Sequence, residues 1–385
     1  MSQSLKNFLP AQYEETNNYG INHNYLFDQF NDKDDILQKI SDVVKKGDFT
    51  LGEAVDRFEL EFAKFVGVDH AIGVGSGTDA IFLSLKALGI GQGDEVVTSP
   101  FTFYATVGAI VTTGATPVFA DIGPDLNIDP ANIERVVTKN TKAIVPVHWA
   151  GKPCNMASIL AVARRNNLFV VEDACHALGA SSSVGNMGAL GIAGCFSLHP
   201  LKNLNVWGDG GLICSNNSEF ATKIKLLRNH GLINRDTCQV FGYNSRLDSI
   251  QAVVASHMLP KLPKINARRL ENARYLDENL RGLSQINLVS SQMRSECHSF
   301  HLYSQLFKQR DKLKIFLNNL DIDAKIHYPV PIHLQPASSY LGYKMGDFPI
   351  SEMTCSQILS LPIHEFIHER ELEKMVKGIQ SFYGA

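Results

Sequence analysis

Three stretches of this chain combine residue types that can do chemistry. GVGSGTDA (73–80) is a glycine-rich turn between a strand-like run and a helix-like run. Small residues there let the backbone approach an anion, and the free N–H groups of the new helix point at it. Gly77, Thr78 and Asp79 form the candidate phosphate cradle. Such a turn also serves packing alone, and it has neither the nucleotide P-loop pattern nor the dinucleotide fingerprint. In VVEDACHALGA (170–180), Asp173 follows Glu172 at the end of an apolar run, an unusual place for charge. A carboxylate there pairs with a cation or caps the next helix. His176 follows closely, and alone it reads as a core histidine. In FSLHPLKNLNVWGDGG (196–211), Lys202 lies among Pro, Leu and Gly, with Asp209 as the nearby charge. A loop lysine in water is simply solvated. In apolar surroundings its pKa falls and it becomes a usable amine nucleophile. Ser197 adds a hydroxyl suited to a phosphate oxygen.

Each stretch alone has a bland reading. In this order they fit one ligand, pyridoxal phosphate. The turn takes its phosphate. Asp173 beside the pyridine nitrogen keeps that nitrogen protonated, so the ring accepts electrons from a carbanion. Lys202 supplies the amine that holds the aldehyde carbon as a Schiff base.

The elements that must position these residues follow from periodicity. Ile36, Ile40, Val43 and Val44 share one face of a helix that starts near Asp34. Val55, Phe58, Phe62 and Phe65 form the stripe of a second helix, which Gly67 ends. Strands are expected at 70–76, 95–100, 116–122, 143–149, 168–174, 194–199 and 210–216, with helices at 79–88, 104–113 and 157–166. Apolar strands interleaved with helices predict an α/β fold: a mostly parallel sheet covered by helices on both faces. Ligand sites in such folds lie at the carboxyl ends of the strands, where the three stretches fall. Near Pro260 the texture changes to a long basic helical run (261–283), then a strand over 301–307 and a helix over 311–320. The expected organisation is a polar arm over 1–25, a large domain over 26–260, and a smaller C-terminal α+β domain over 261–385.

Composition narrows the function classes. The 385 residues are 44% hydrophobic and 19% charged, with a net charge of -3, so neither nucleic acid nor an anionic membrane is the expected partner. The start of the chain has no apolar core of a secretory signal, and no run is long and apolar enough to span a bilayer. The seven cysteines are scattered, with no CxxC, so reduced thiols in the cytoplasm and no metal site are expected.

The chain resembles the DegT/DnrJ/EryC1/StrS family of sugar aminotransferases from about Phe49 to Pro362. The resemblance rests on ordered blocks that include FTLGEAVDRFELEFAKFVG, HAIGVGSGTDAI, LGIGQGDEVVTSPFTFYATVGAI, VVEDACHALGA, FSLHPLKNL, YNSRLDSIQA and HYPVPIH. It implies the fold type I architecture of pyridoxal-phosphate enzymes. It implies that Lys202 forms the Schiff base and shuttles the proton, and that Asp173 pairs with the pyridine nitrogen. His176 would hydrogen-bond the ring hydroxyl, Phe103 would stack on the ring, and Thr78, its neighbours and Ser197 would bind phosphate. Asn244 would reach the phosphate of a neighbouring subunit, which implies a homodimer with shared active sites. Arg228, Asn229, His230, His327, Tyr328 and His333 are candidates for the substrate pocket, although a His or Arg near a domain junction is often structural. Leu178, the HPLKNL block and Trp207 depart from the commoner family pattern, and their expected place is near the cofactor or the substrate mouth.

The expected reaction is ping-pong transfer of an amino group from glutamate to a keto-sugar linked to a nucleotide, for surface polysaccharide or a glycosylated product. Three other readings stay open. A sugar dehydratase of the same family would carry His in place of the Schiff-base lysine, and Lys202 is retained here. A regulator would keep the fold without turnover. A third possibility is an α/β protein that binds a different phosphate.

Overall fold

The computed structural model describes residues 19–289 and 297–384. The described residues build a seven-stranded sheet of β1 (His70–Val74), β2 (Glu95–Thr98), β3 (Thr116–Phe119), β4 (Thr141–Val145), β5 (Phe169–Asp173), β6 (Ala193–Ser197) and β7 (Gly211–Ser215). Their spatial order is β1-β7-β6-β5-β4-β2-β3. The neighbours from β6 to β3 run parallel, while β7 is antiparallel to both β6 and β1. The carboxyl ends of β1, β5 and β6 therefore lie on one edge. The α/β sheet expected from the alternating pattern is the one found.

Successive strand residues point to opposite faces, and here each face meets its own core. Ala71, Phe196, Leu212 and Cys214 join one core. Ile72, Cys195 and Ile213 join the other. The first core is covered by helices Glu53–Val66, Met156–Arg165 and Ser249–Met258. The second is covered by Gly77–Ala87, Tyr104–Thr112 and Ser218–Leu227. The stripe read from the sequence buries Val55, Phe58 and Phe62 completely, and Gly67 closes that helix in the left-handed conformation at φ 85°. In the preceding helix, Lys33–Lys46, Ile36 is buried but Val44 is 53% exposed, so its apolar face is narrower than expected.

A second sheet, β8 (Ile286–Asn287), β9 (Tyr303–Phe307) and β10 (Ile358–Leu361), is antiparallel throughout. It shares a third core with helices Leu262–Leu280, Arg310–Asn319 and Glu369–Tyr383. The long helix belongs to two cores: Leu262 and Ile265 pack in the first, Ala273, Leu276 and Leu280 in the third. The change of texture near Pro260 is thus the entry to one continuous helix. Most of the N-terminal arm lies outside the described residues. Its described end is not a free arm, because Ile21 is 2% exposed in the third core and forms a parallel bridge with Ile322. Two apolar side chains spaced among asparagines carry too little pattern to reveal this.

Phe62 meets Phe58 and Phe196 edge-on at 5.7 and 5.2 Å, joining helix to sheet. Its replacement by Ala should cost about 3–5 kcal/mol of folding stability, the usual range for a buried aromatic. Urea unfolding of Phe62→Ala measures this, and a loss below about 1 kcal/mol contradicts the role assigned to the contact.

Candidate functional site

The site grows from the edge where β1, β5 and β6 end together. After β1, Ser76 caps helix Gly77–Ala87, its hydroxyl accepting the Asp79 N–H at 3.0 Å. The first N–H groups of a helix have no acceptor within it, so they are free for an anion. A Cβ on Gly77 would lie 2.8 Å from the Ser197 Cβ and 2.9 Å from the Cys175 sulfur. Only glycine lets the helix start lie this close to the ends of β5 and β6. Thr78 is exposed at the same turn and Ser197 is half-buried opposite it. Asp79 is placed otherwise than expected. Its carboxylate accepts the Ser245 hydroxyl at 2.6 Å, and that oxygen accepts the Gly75 N–H at 3.0 Å. It braces the turn. A carboxylate turned toward a phosphate would repel it.

Alternation along β5 separates its two acids. Glu172 points into the first core, fully buried. It accepts N–H groups from Gly188, Leu190 and Gly191 at 2.7–2.9 Å and meets the His148 ring at 3.0 Å. Asp173 points the other way, 6% exposed. Its Oδ2 accepts the Thr106 hydroxyl at 2.7 Å and its Oδ1 accepts the Cys175 N–H at 3.2 Å.

Lys202 lies on the loop between β6 and β7, half-buried. Its backbone N–H donates to the His199 carbonyl at 2.8 Å, and its carbonyl accepts the Tyr25 hydroxyl at 3.1 Å. Burial lowers the amine below the usual lysine range, while Cys175 and Asp173 pull it back upward. Burial first, and Asp173 next, push the Cys175 thiol up.

Aromatic rings wall this space. Phe103 stands 5.7 Å from Tyr328, Tyr328 5.4 Å from Trp149, Trp149 5.7 Å from His176, and His176 4.3 Å from His301. Burial, then the nearby Lys202 amine, hold His176 well below the ordinary histidine range, and its Nδ1 has no partner among the described residues. The Asn203 amide nitrogen donates to Asn266 at 2.8 Å and to the Ser299 carbonyl at 2.9 Å, so its oxygen faces His301 Nδ1 at 3.2 Å. His301 therefore carries its proton on Nδ1.

The other candidates divide. His327 approaches the site beside Tyr328, and its Nδ1 meets the Ser360 hydroxyl at 2.9 Å. Arg228 does not face it. Its guanidinium is buried against Glu59 and donates to the Gly73 carbonyl at 2.8 Å, which braces β1. His333 is buried against Glu352 at 3.0 Å and Phe348. His230 and Asn244 are exposed, and Asn229 accepts from Arg246 at 3.2 Å. Leu178 and Trp207 pack with the first core, so these two departures from the family pattern answer to packing. Sequence reasoning missed Thr106, Trp149, His301 and Tyr25. The PFTFYAT block held Thr106 in plain view, but a threonine signals nothing until its partner is known.

A sheet of this order, carrying an amine, a carboxylate and a glycine turn at one edge, defines an aminotransferase-type α/β fold. The pattern of the DegT/DnrJ/EryC1/StrS aminotransferase family matches residues 31–380, and the chain belongs to that family. It is 40% identical to a pleiotropic regulatory protein of Geobacillus stearothermophilus over 91% of this chain and 95% of that one. It is 37% identical to a UDP-N-acetyl-3-dehydro-alpha-D-glucosamine 3-aminotransferase of Acidithiobacillus ferrooxidans, over 90% and 94%. Among solved structures it is similar to DesV of S. venezuelae in complex with a ketimine intermediate, with TM-score 0.92 and 34% identity over 95% of this chain and 99% of that one. No helix among the described residues is long and apolar enough to cross a membrane.

Burial also makes folding sensitive to acid. It holds His298 down to about 3 and His364 down to about 4. Unfolded histidine binds its proton near pH 6.5, so the unfolded state takes up protons first as pH falls. Stability should be complete above about pH 6.5 and decline toward pH 4. Urea midpoints measured from pH 7.5 to 4 check this, and His298→Asn, which keeps an acceptor for the Phe300 N–H, should flatten the slope.

Proposed function

We propose that the chain is a pyridoxal-phosphate aminotransferase that moves an amino group from glutamate to a nucleotide-linked keto-sugar. The observation that carries this is the meeting, at one edge of the sheet, of the Lys202 loop, the Asp173 carboxylate with its Thr106 and Cys175 donors, and the Gly77 turn packed against Ser197 and Cys175. The surroundings fit the cofactor. Gly77 leaves a cradle that a Cβ would fill, and His176 Nδ1 is a buried polar atom without a partner among the described residues. When bound, the cofactor supplies an aldehyde carbon that exchanges amines and a ring that accepts electrons.

The chain's own groups do the rest. Gly77, Thr78 and Ser197 take the phosphate. Asp173 offers its carboxylate to the ring nitrogen. His176, kept neutral, offers a ring nitrogen to the cofactor hydroxyl, and Phe103 covers the ring face. Lys202 Nζ, its hold on a proton weakened by burial, would take the α-proton of the donor and return it one carbon away. Trp149, Tyr328 and His327 line the side from which a sugar would enter, and their rings limit water. Burial raises the Tyr328 hydroxyl far above the ordinary range, so it acts as a neutral hydrogen-bonding group.

The regulatory relative favours a second reading, a cofactor-binding regulator. The protein reconstituted with pyridoxal phosphate should show a visible absorbance band that glutamate bleaches, and Lys202→Ala should lack the band. No band in the wild type overturns the cofactor reading. A band that no amino donor moves supports the regulator.

Asn244 is exposed, as a residue offered to a second copy must be. If two copies share sites, mixing Lys202→Ala with Asn244→Ala chains should restore about a quarter of the sites, because half the dimers are hybrids with one intact site each. No recovery of activity contradicts shared sites.

A further inference from the structure

The Asp173 carboxylate receives a donor from a helix that contributes to the site in another way. Helix Tyr104–Thr112 begins after Phe103, which stands at the mouth of the site. Thr106 lies one turn on, 1% exposed, and its hydroxyl meets Asp173 Oδ2 at 2.7 Å. Thr102, 3% exposed and four residues before Thr106, meets the same hydroxyl at 2.8 Å.

The direction of these bonds follows from counting protons. An ionised carboxylate only accepts, so Thr106 must give it its one hydroxyl proton. Thr106 then has only lone pairs left for Thr102, so Thr102 donates to Thr106. Each bond polarises the next. On the other oxygen, Asp173 accepts the Cys175 N–H at 3.2 Å. The Cys175 thiol also hydrogen-bonds the carboxylate, so donors on both oxygens hold it against turning. A ring nitrogen that arrives there without a proton meets lone pairs. With a proton it makes a charge-assisted hydrogen bond.

We propose that Thr102 and Thr106 are positioning residues, a directed hydroxyl relay that fixes the Asp173 carboxylate so that it holds a protonated heteroaromatic nitrogen. This rests on reading Asp173 as the partner of the cofactor's ring nitrogen. The same spacing makes one helix start serve both ends of the cofactor ring: Phe103 covers its face while Thr106 orients the group at its edge. Lys202, Cys175, Cys195 and Tyr328 are the other titratable groups that sense the Asp173 charge, and the relay acts on none of them directly.

The test uses full-length protein loaded with pyridoxal phosphate. Two quantities are read: the dissociation constant of the cofactor, and the pH at which its visible band changes. Thr106→Val keeps the shape and removes the donor. It should weaken cofactor binding about tenfold, the usual scale for a hydrogen bond to a charged group. It should also move the spectral midpoint to higher pH, because a ring nitrogen held less firmly in its protonated form leaves less positive charge near Lys202. Thr106→Ser should restore both. Thr102→Val, which breaks only the outer bond, should shift both in the same direction by less, and it carries the test if Thr106→Val does not fold. Asp173→Asn separates the two ideas. If Asp173→Asn changes binding and spectrum while Thr106→Val and Thr102→Val match the wild type, the relay is wrong and Asp173 remains the ring partner. If Asp173→Asn changes neither quantity, the ring-partner reading falls and the relay with it.

Discussion

A carboxylate at the end of an apolar strand, cut off from water, must find donors or lose its charge. Asp173 is that group, and much of the surrounding structure answers its demand. Helix Tyr104–Thr112 brings it a hydroxyl, the turn after β5 brings it a backbone N–H, and the Lys202 loop brings an amine into its neighbourhood. Moving any of these elements would leave a buried charge short of partners. The geometry at this edge of the sheet is held by electrostatic satisfaction as much as by packing.

The neighbouring acid shows the same rule with the opposite outcome. Glu172 is one residue away, so its side chain faces the other core, and three backbone N–H groups with the His148 ring use up its acceptor capacity. Nothing is left for a ligand. Among the described residues, the Asp173 carboxylate accepts only from the Thr106 hydroxyl and from Cys175, and so keeps acceptor capacity. Arg228 is another case: its guanidinium is spent on Glu59 and the Gly73 carbonyl. Charged residues near a site divide into those whose hydrogen bonds are complete and those left with something to offer, and the second kind can do chemistry.

The same division bears on the relatives. A family with this fold includes both transaminases and a protein named as a regulator, so the fold alone does not choose between them. What distinguishes a working centre is an amine that can be neutral, a fixed carboxylate and a cradle with room for an anion. Here burial lowers the Lys202 amine, Thr106 donates to Asp173, and Gly77 lets a helix start pack against Ser197 and Cys175, the features the proposed reading rests on.

Much of this protein is local enough to be legible in its sequence. Strand and helix periods, the Gly67 cap, the order of glycine turn, Asp173 and Lys202, and the α/β layering all follow from patterns within a few residues of one another. Other features depend on contacts between distant segments, and no local pattern carries them. Ile21 joins a core built from residues beyond 270, Thr106 meets Asp173 across 67 positions, and Arg228 finds Glu59 across 169. Asp79 turned to Ser245, and Trp207 and Leu178 turned into the core, for the same reason: a side chain's role is set by which partners fold up beside it. The sequence by itself determined which residues could do chemistry and on which elements they sit. Only the tertiary structure decided which of them retain unsatisfied hydrogen-bonding capacity, because that depends on the donors and acceptors that packing delivers from elsewhere in the chain.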